Sequence, residues 1–105
     1  MTHYVVVRSD LASDDSPRGY LAAHVCHAAG ESGPAPPGSI AVVLGVPNEH
    51  ELLAIAKRLV DLDVPHVVIH ENVGRFANQA TAIGIRPTHD RGQIRKAVSS
   101  LALVR

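Results

Sequence analysis

The sequence contains a single cysteine, Cys26, so no disulfide can form within the chain, and a reducing compartment is the expected setting. Long apolar runs are also absent. The longest, residues 40–46, is strand-sized, far below the ~20 residues that a helical membrane span requires. The opening Met1-Thr2-His3-Tyr4 turns polar again by Arg8, without the apolar core of a secretory leader, so the expectation is a cytoplasmic protein with no membrane attachment. No repeat recurs at solenoid spacing. Net charge is lacking too, with ten basic side chains against ten acidic ones.

What is present suits one folded unit. A chain of 105 residues has enough material for one core and not for two, so residues 1–105 read as a single domain. The 46% hydrophobic share excludes a disordered chain. The neutral total hides an asymmetry: residues 1–72 carry a net charge of −5 and residues 73–105 a net charge of +5. A basic C-terminal third is compatible with a phosphate-bearing partner and equally with a solvated helix face.

The hydrophobic pattern alternates between strand and helix. Tyr4-Val5-Val6-Val7 is a β-branched run that reads as a buried strand. Ser16-Pro17 pairs an N-cap hydroxyl with proline at the first helical position, and the spacing predicts a helix over residues 17–29, closed by Gly30. Residues 30–39, with three prolines and three glycines, form a loop. Residues 40–46 are apolar on both faces, as in a central covered strand. Asn48 and Glu51 form a capping-box-like start for a second helix that buries Leu52, Ile55, Leu59 and Leu62. Val67-Val68-Ile69 and residues 81–85 read as two further strands. A last helix, capped by Thr88 or Asp90, turns Ile94, Ala97, Val98 and Leu101 inward. The expected fold is a three-layer α/β/α sandwich around a four-stranded mixed sheet, mostly parallel, with the third and fourth strands antiparallel because their link is too short for a crossover helix.

In such a sheet ligands bind beyond the carboxyl ends of the strands. Residues 8–19, Pro47-Asn48 and residues 86–90 are the segments expected there. Tyr20, His24 and His27 sit at i, i+4 and i+7 of the first helix, a polar stripe beside the Leu21/Val25 core face, with Arg18 one turn earlier. The stripe reads either as a solvated surface or as a polar binding face. His24 and His27 lack a carboxylate or cysteine partner at metal-site spacing, so no metal or cofactor is expected. Cys26 reads as a core residue rather than a nucleophile.

Several segments resemble the type 2 peptidyl-tRNA hydrolases. Val6-Val7-Arg8-Ser9-Asp10-Leu11 resembles that family's opening strand, and residues 18–29 its KGK-x-AAQC-x-HAA helix. Leu62-Asp63-Val64-Pro65 resembles the exit of its second helix, Asn72-Val73-Gly74-Arg75 its DAGR loop, and residues 81–87 its TVLGIGP strand. The similarity runs in order through nearly the whole chain and implies the peptidyl-tRNA hydrolase type 2-like fold. It also implies metal-independent cleavage of the ester between a peptide and the terminal ribose of tRNA, with tRNA or peptidyl-tRNA as partner and a homodimer as assembly. The residues that the resemblance brings to the site are Arg18, His24, His27 and Asn72 for catalysis, with Arg8, Gly19, Tyr20, Glu71, Gly74, Arg75 and Arg86 around the substrate. His24 or His27 would act as general base, Arg18 and the helix N-terminus would stabilise the oxyanion, and Asn72 would orient substrate. The sequence departs from the family pattern at the two lysines (Arg18 and Tyr20), the glutamine (His24), the cysteine (Val25) and the loop aspartate (Asn72, with Glu71 beside it). The alternative is therefore a non-catalytic binding or dimerisation module on the same fold.

Overall fold

The computed structural model describes residues 1–13 and 18–104. The expected Ser16-Pro17 helix start and the Asp14-Asp15 pair lie outside them. Strands β1 (Thr2–Arg8), β2 (Ile40–Val46), β3 (His66–His70), β4 (Ala80–Ile85) and β5 (Ala102–Leu103) form one sheet in the order β3-β4-β1-β2-β5. Helices α1 (Arg18–Ser32), α2 (Glu49–Asp61) and α3 (Gly92–Val98) connect them.

The β-branched run of β1 is buried along its whole length, because it lies between β2 and β4 with helices over both faces. Its even-numbered side chains, Tyr4 and Val6, join Leu52, Ile55 and Leu59 of α2 and Ile94 and Ala97 of α3. Its odd-numbered side chains, Val5 and Val7, join Ala28 of α1 and Phe76. The period of two along the strand thus divides the core between two layers. The Asn48 side chain accepts the Glu51 amide at 3.0 Å, which starts α2 where the capping pattern places it.

The sheet differs from expectation in two respects. It has five strands rather than four: the last helix stops at Val98 before Ser99-Ser100, and Ala102 and Leu103 then pair antiparallel with Gly45 and Leu44. It is also mostly antiparallel, since β1–β2 is the single parallel pair among the named strands, while β1–β4, β2–β5 and β3–β4 are antiparallel. The β-helix-β connections do leave β1, β2 and β3 pointing the same way. The short β3–β4 link then returns β4 between β3 and β1, which breaks the parallel run. The first half of β2 is accordingly an open edge, with Ile40 exposed, rather than a central covered strand.

Helix α1 also departs from the pattern. It continues two residues past Gly30, and Ser32 bonds back to the Ala28 carbonyl at 2.7 Å. Its buried line is His24, Ala28 and Ser32, and Cys26, two residues beyond His24 and so about 200° around the helix, is exposed rather than in the core. The reason is Gly84 of β4: a side chain there would run into the Ala28 carbonyl and Ser32, so its absence lets α1 press its small residues onto the strand.

Candidate functional site

The carboxyl ends of β1 and β3 and the start of the antiparallel β4 meet at one edge of the sheet, under the first turns of α1. Glu71 follows β3 directly. One of its carboxylate oxygens, Oε2, accepts the Tyr20 hydroxyl at 2.5 Å and faces His24 Nε2 at 3.2 Å. The other, Oε1, accepts the backbone amides of Asn72 at 2.8 Å and Val73 at 3.4 Å. The far nitrogen of the same imidazole, Nδ1, lies 2.8 Å from Thr81 Oγ1, whose hydroxyl also reaches the Ile69 carbonyl at 3.3 Å. The result is a continuous line Tyr20–Glu71–His24–Thr81, with His24 7% exposed and Thr81 fully buried.

The electrostatics of this line are one-sided. The hydrogen bond from Tyr20, then the Asn72 amide, hold the Glu71 carboxyl down at about 2, so it is ionised at neutral pH. Burial first, and the bond to Glu71 second, push the Tyr20 hydroxyl up to about 12, so the phenol keeps its proton. The site therefore contains a fixed negative charge and a fixed neutral donor sharing one oxygen.

Phe76 forms the floor. Its ring stacks with Tyr20 at 6.0 Å between centroids, while the guanidinium groups of Arg8 and Arg75 lie 5.0 and 5.3 Å from its centre. Tyr20 also meets His24 edge to face at 4.7 Å. The chain folds back over this floor through Gly74, whose φ of 81° suits a residue without a side chain, and Asn78. The Asn78 amide returns to the Glu71 carbonyl at 2.8 Å.

The structure brings together only part of the set expected from sequence. Tyr20, His24, Glu71 and Arg75 converge. His27 does not: its side chain is 57% exposed and faces Glu31 at 3.1 Å, because the buried face of α1 is turned toward Ala28 and Ser32 rather than along the expected stripe. His27→Ala is accordingly expected to leave any activity of this site and the melting temperature unchanged within about 0.5 kcal/mol of stability, the usual range for an exposed substitution; kinetics and a thermal melt on the same preparation check this. Asn72, expected to orient substrate, is exposed and contributes its backbone amide to the Glu71 carboxylate.

Arg8 is 4% exposed and already occupied. It forks onto Asp10 at 2.9 and 2.8 Å and donates to Gln79 at 2.8 Å and to the Ala80 carbonyl at 3.0 Å, so it ties β1 to β4 rather than waiting for a substrate. Arg18 and Gly19 are exposed at the start of α1. Arg18 borders a separate groove of about 820 Å³ with Leu21, Val46 and Leu103. Arg86 is at the opposite end of β4, because the antiparallel strand carries the chain away from the site before reaching it; its backbone amide bonds the Pro65 carbonyl at 3.1 Å. Arg91 is also far from Glu71, donating to the Tyr4 hydroxyl at 2.9 Å. Among the described residues, Arg75, Arg86 and Arg91 of the basic C-terminal third are thus divided rather than gathered at the site.

Thr81 escaped the sequence reading, although it is the one hydroxyl at the head of an otherwise apolar strand. Gln79, Phe76 and Asp10 carried no signal of their own. Among the described residues no group of three His, Cys, Asp or Glu side chains is placed to hold a metal ion, and no helix is long and apolar enough to cross a membrane.

No family model matches the chain, and no curated protein matches it. Among solved structures it is similar to a protein of unknown function from Agrobacterium tumefaciens, with a TM-score of 0.60 at 18% identity over 99% of this chain and 97% of that one. At that identity the likeness is one of fold. It runs the full length of both chains.

Proposed function

We propose that the chain hydrolyses an ester of peptidyl-tRNA, or of a related N-blocked aminoacyl-tRNA, without a metal. The observation that carries the reading is the shared Glu71 oxygen, held between a neutral phenol and an imidazole at the sheet edge where α/β folds place ligands. The resemblance of the chain to type 2 peptidyl-tRNA hydrolases supplies the substrate class.

The chemistry follows from that geometry. As an ester carbonyl enters, the Tyr20 hydroxyl turns from Glu71 to the carbonyl oxygen and stabilises the oxyanion that develops there. Losing this hydrogen bond, the largest influence holding its carboxyl low, makes Glu71 a stronger base. Water then attacks the carbonyl carbon and yields a proton to Glu71. When the tetrahedral intermediate collapses, the bond to the ribose oxygen breaks and Glu71 returns the proton to that oxygen. The products are a free carboxylic acid and the terminal hydroxyl of tRNA. His24, with both ring nitrogens engaged, orients Glu71 rather than activating water itself, and Arg75 on Phe76 offers a cation to a neighbouring phosphate.

A second reading, a non-catalytic binding or dimerisation module, is favoured by one feature. Four donors satisfy Glu71 and both imidazole nitrogens of His24 have partners, so the cluster is complete without a substrate. Release of N-blocked amino acid from charged tRNA separates the two. The expected result is release by the native chain and a loss of kcat of roughly 10²-fold or more in Tyr20→Phe, the scale of a removed oxyanion donor. No release above the protein-free rate would remove the hydrolase and leave the module.

A further inference from the structure

Thr81 faces the wrong way for its strand. Ile83 and Ile85 of β4 point into the layer of α2 and α3, and strict alternation would send Thr81 there with them and Ala80 to the α1 side. The reverse is observed: Ala80 packs in the α2 layer and Thr81 meets His24 on α1. The switch coincides with a register irregularity, where Ile69 pairs with Ala82 but His70 pairs with Ala80, so that Thr81 is an extra residue in β4. A bulge of this kind re-aims one side chain and interrupts the ladder.

The interruption is held at both backbone groups of Ala80. The Ala80 carbonyl accepts from Arg8 at 3.0 Å. The Ala80 amide donates to Glu49 Oε2 at 2.7 Å, and Glu49 belongs to the first turn of α2, in the layer opposite His24. Ala80 is 1% exposed, so without Glu49 this amide would be a buried donor with no strand partner.

We infer that Glu49 is a positioning residue for the site: from the far side of the sheet it holds the bulge that aims Thr81 at His24. Glu49 touches none of the reacting groups and acts through Ala80 and Thr81. The inference deepens the hydrolase reading and rests on it for its functional meaning, but its geometric content can be tested apart from activity.

The test uses two conservative variants with opposite losses. Glu49→Gln keeps the acceptor oxygen at the same reach and removes the charge. Glu49→Asp keeps the charge in the first turn of α2 and withdraws the acceptor by one methylene. The readouts are the ¹⁵N resonance of His24 Nδ1 and the exchange rate of the Thr81 hydroxyl proton, with Glu51→Gln, an exposed acid of the same helical turn, as control. Glu49→Asp is expected to shift the Nδ1 signal and to speed hydroxyl exchange by about tenfold, as loss of a charge-assisted hydrogen bond implies. Glu49→Gln and Glu51→Gln are expected to resemble the native chain in both signals. The opposite order, with Gln perturbed and Asp native-like, would make Glu49 a helix-terminal charge and overturn the inference, as would unchanged signals in both Glu49 variants. If the native chain releases no amino acid from tRNA while Glu49→Asp still moves both signals, the hydrolase reading fails and the positioning stands.

Discussion

Gly84→Ala is expected to destabilise the chain by about 3 kcal/mol or more, at the upper end of what overpacking costs. A single added methyl would meet the Ala28 carbonyl and Ser32 of α1, and the first of these is backbone that cannot rotate aside. Relief requires the helix to lift off β4, which would pull His24 from Thr81 and open the contact between Ser32 and His3, now 2.8 Å. For a domain of this size such a loss corresponds to a fall in melting temperature of roughly 12–24 °C. Gly30→Ala makes the contrast. It is in the same helix, a methyl there meets nothing, and helix propensity predicts a gain of about 0.5–1 kcal/mol. Denaturant or thermal unfolding of the two variants checks both signs, and a Gly84→Ala melt within a few degrees of the native one would show that α1 can shift at little cost.

That contact also explains what could be read from the sequence and what could not. The elements were legible because each carries its own local signal: β-branched runs in β1 and β3, the Asn48 cap of α2, and a β3–β4 link too short for a helix. The rotation of α1 was not. Leu21 and Val25 mark an apolar side, and on pattern alone they define the buried face. The face that is buried is set instead by a glycine about fifty residues away, which makes room for Ala28 and Ser32 and so carries His24 inward and leaves Cys26 and His27 outside. The expectation of four strands in a mostly parallel sheet failed for a related reason. Local patterns fix which segments are strands, but the insertion of β4 between β3 and β1 depends on long-range pairing, and with it went the expected position of Arg86.

The site followed the same division. Tyr20 and His24 were singled out by helical spacing, and Glu71 and Arg75 only through the resemblance of their loop. Thr81 could not be placed, because a period-two reading of β4 assigns it to the opposite layer. One extra residue in the ladder reverses that assignment, and no residue type in the segment announces it. The same reversal gives Glu49 and Arg8 their roles at Ala80, although Arg8 reads from sequence as a ligand-facing charge.

Glu71→Gln is expected to abolish the proposed ester hydrolysis and to change the pH dependence of stability, and the second effect can be measured without a substrate. In the native chain the Glu71 carboxyl titrates at about 2, against 4.5 for the unperturbed group. The unfolded chain therefore takes up this proton first as pH falls. The stabilisation is fully present above about 4.5 and is lost as the pH drops toward 2, so the native chain should weaken through that window. The glutamine variant has no proton to bind there, and its stability should be flatter over the same interval. At neutral pH it should be less stable by about 2 kcal/mol, the value of a hydrogen bond to a charged group, because the amide cannot accept from Tyr20, His24 and two backbone amides at once. Tyr20 supplies the mirror case at high pH. Its hydroxyl is raised from 10.0 to about 12, so its contribution is complete below 10 and is lost as the pH climbs to 12, an alkaline slope that Tyr20→Phe should remove. Urea titrations of the native chain and both variants between pH 2 and 7, and of the tyrosine variant above pH 9, separate these arms. Identical acid slopes in the native chain and Glu71→Gln would mean that the carboxylate is not held by Tyr20 and the loop amides. The basicity that Glu71 is proposed to gain when Tyr20 turns away from it would then have no source.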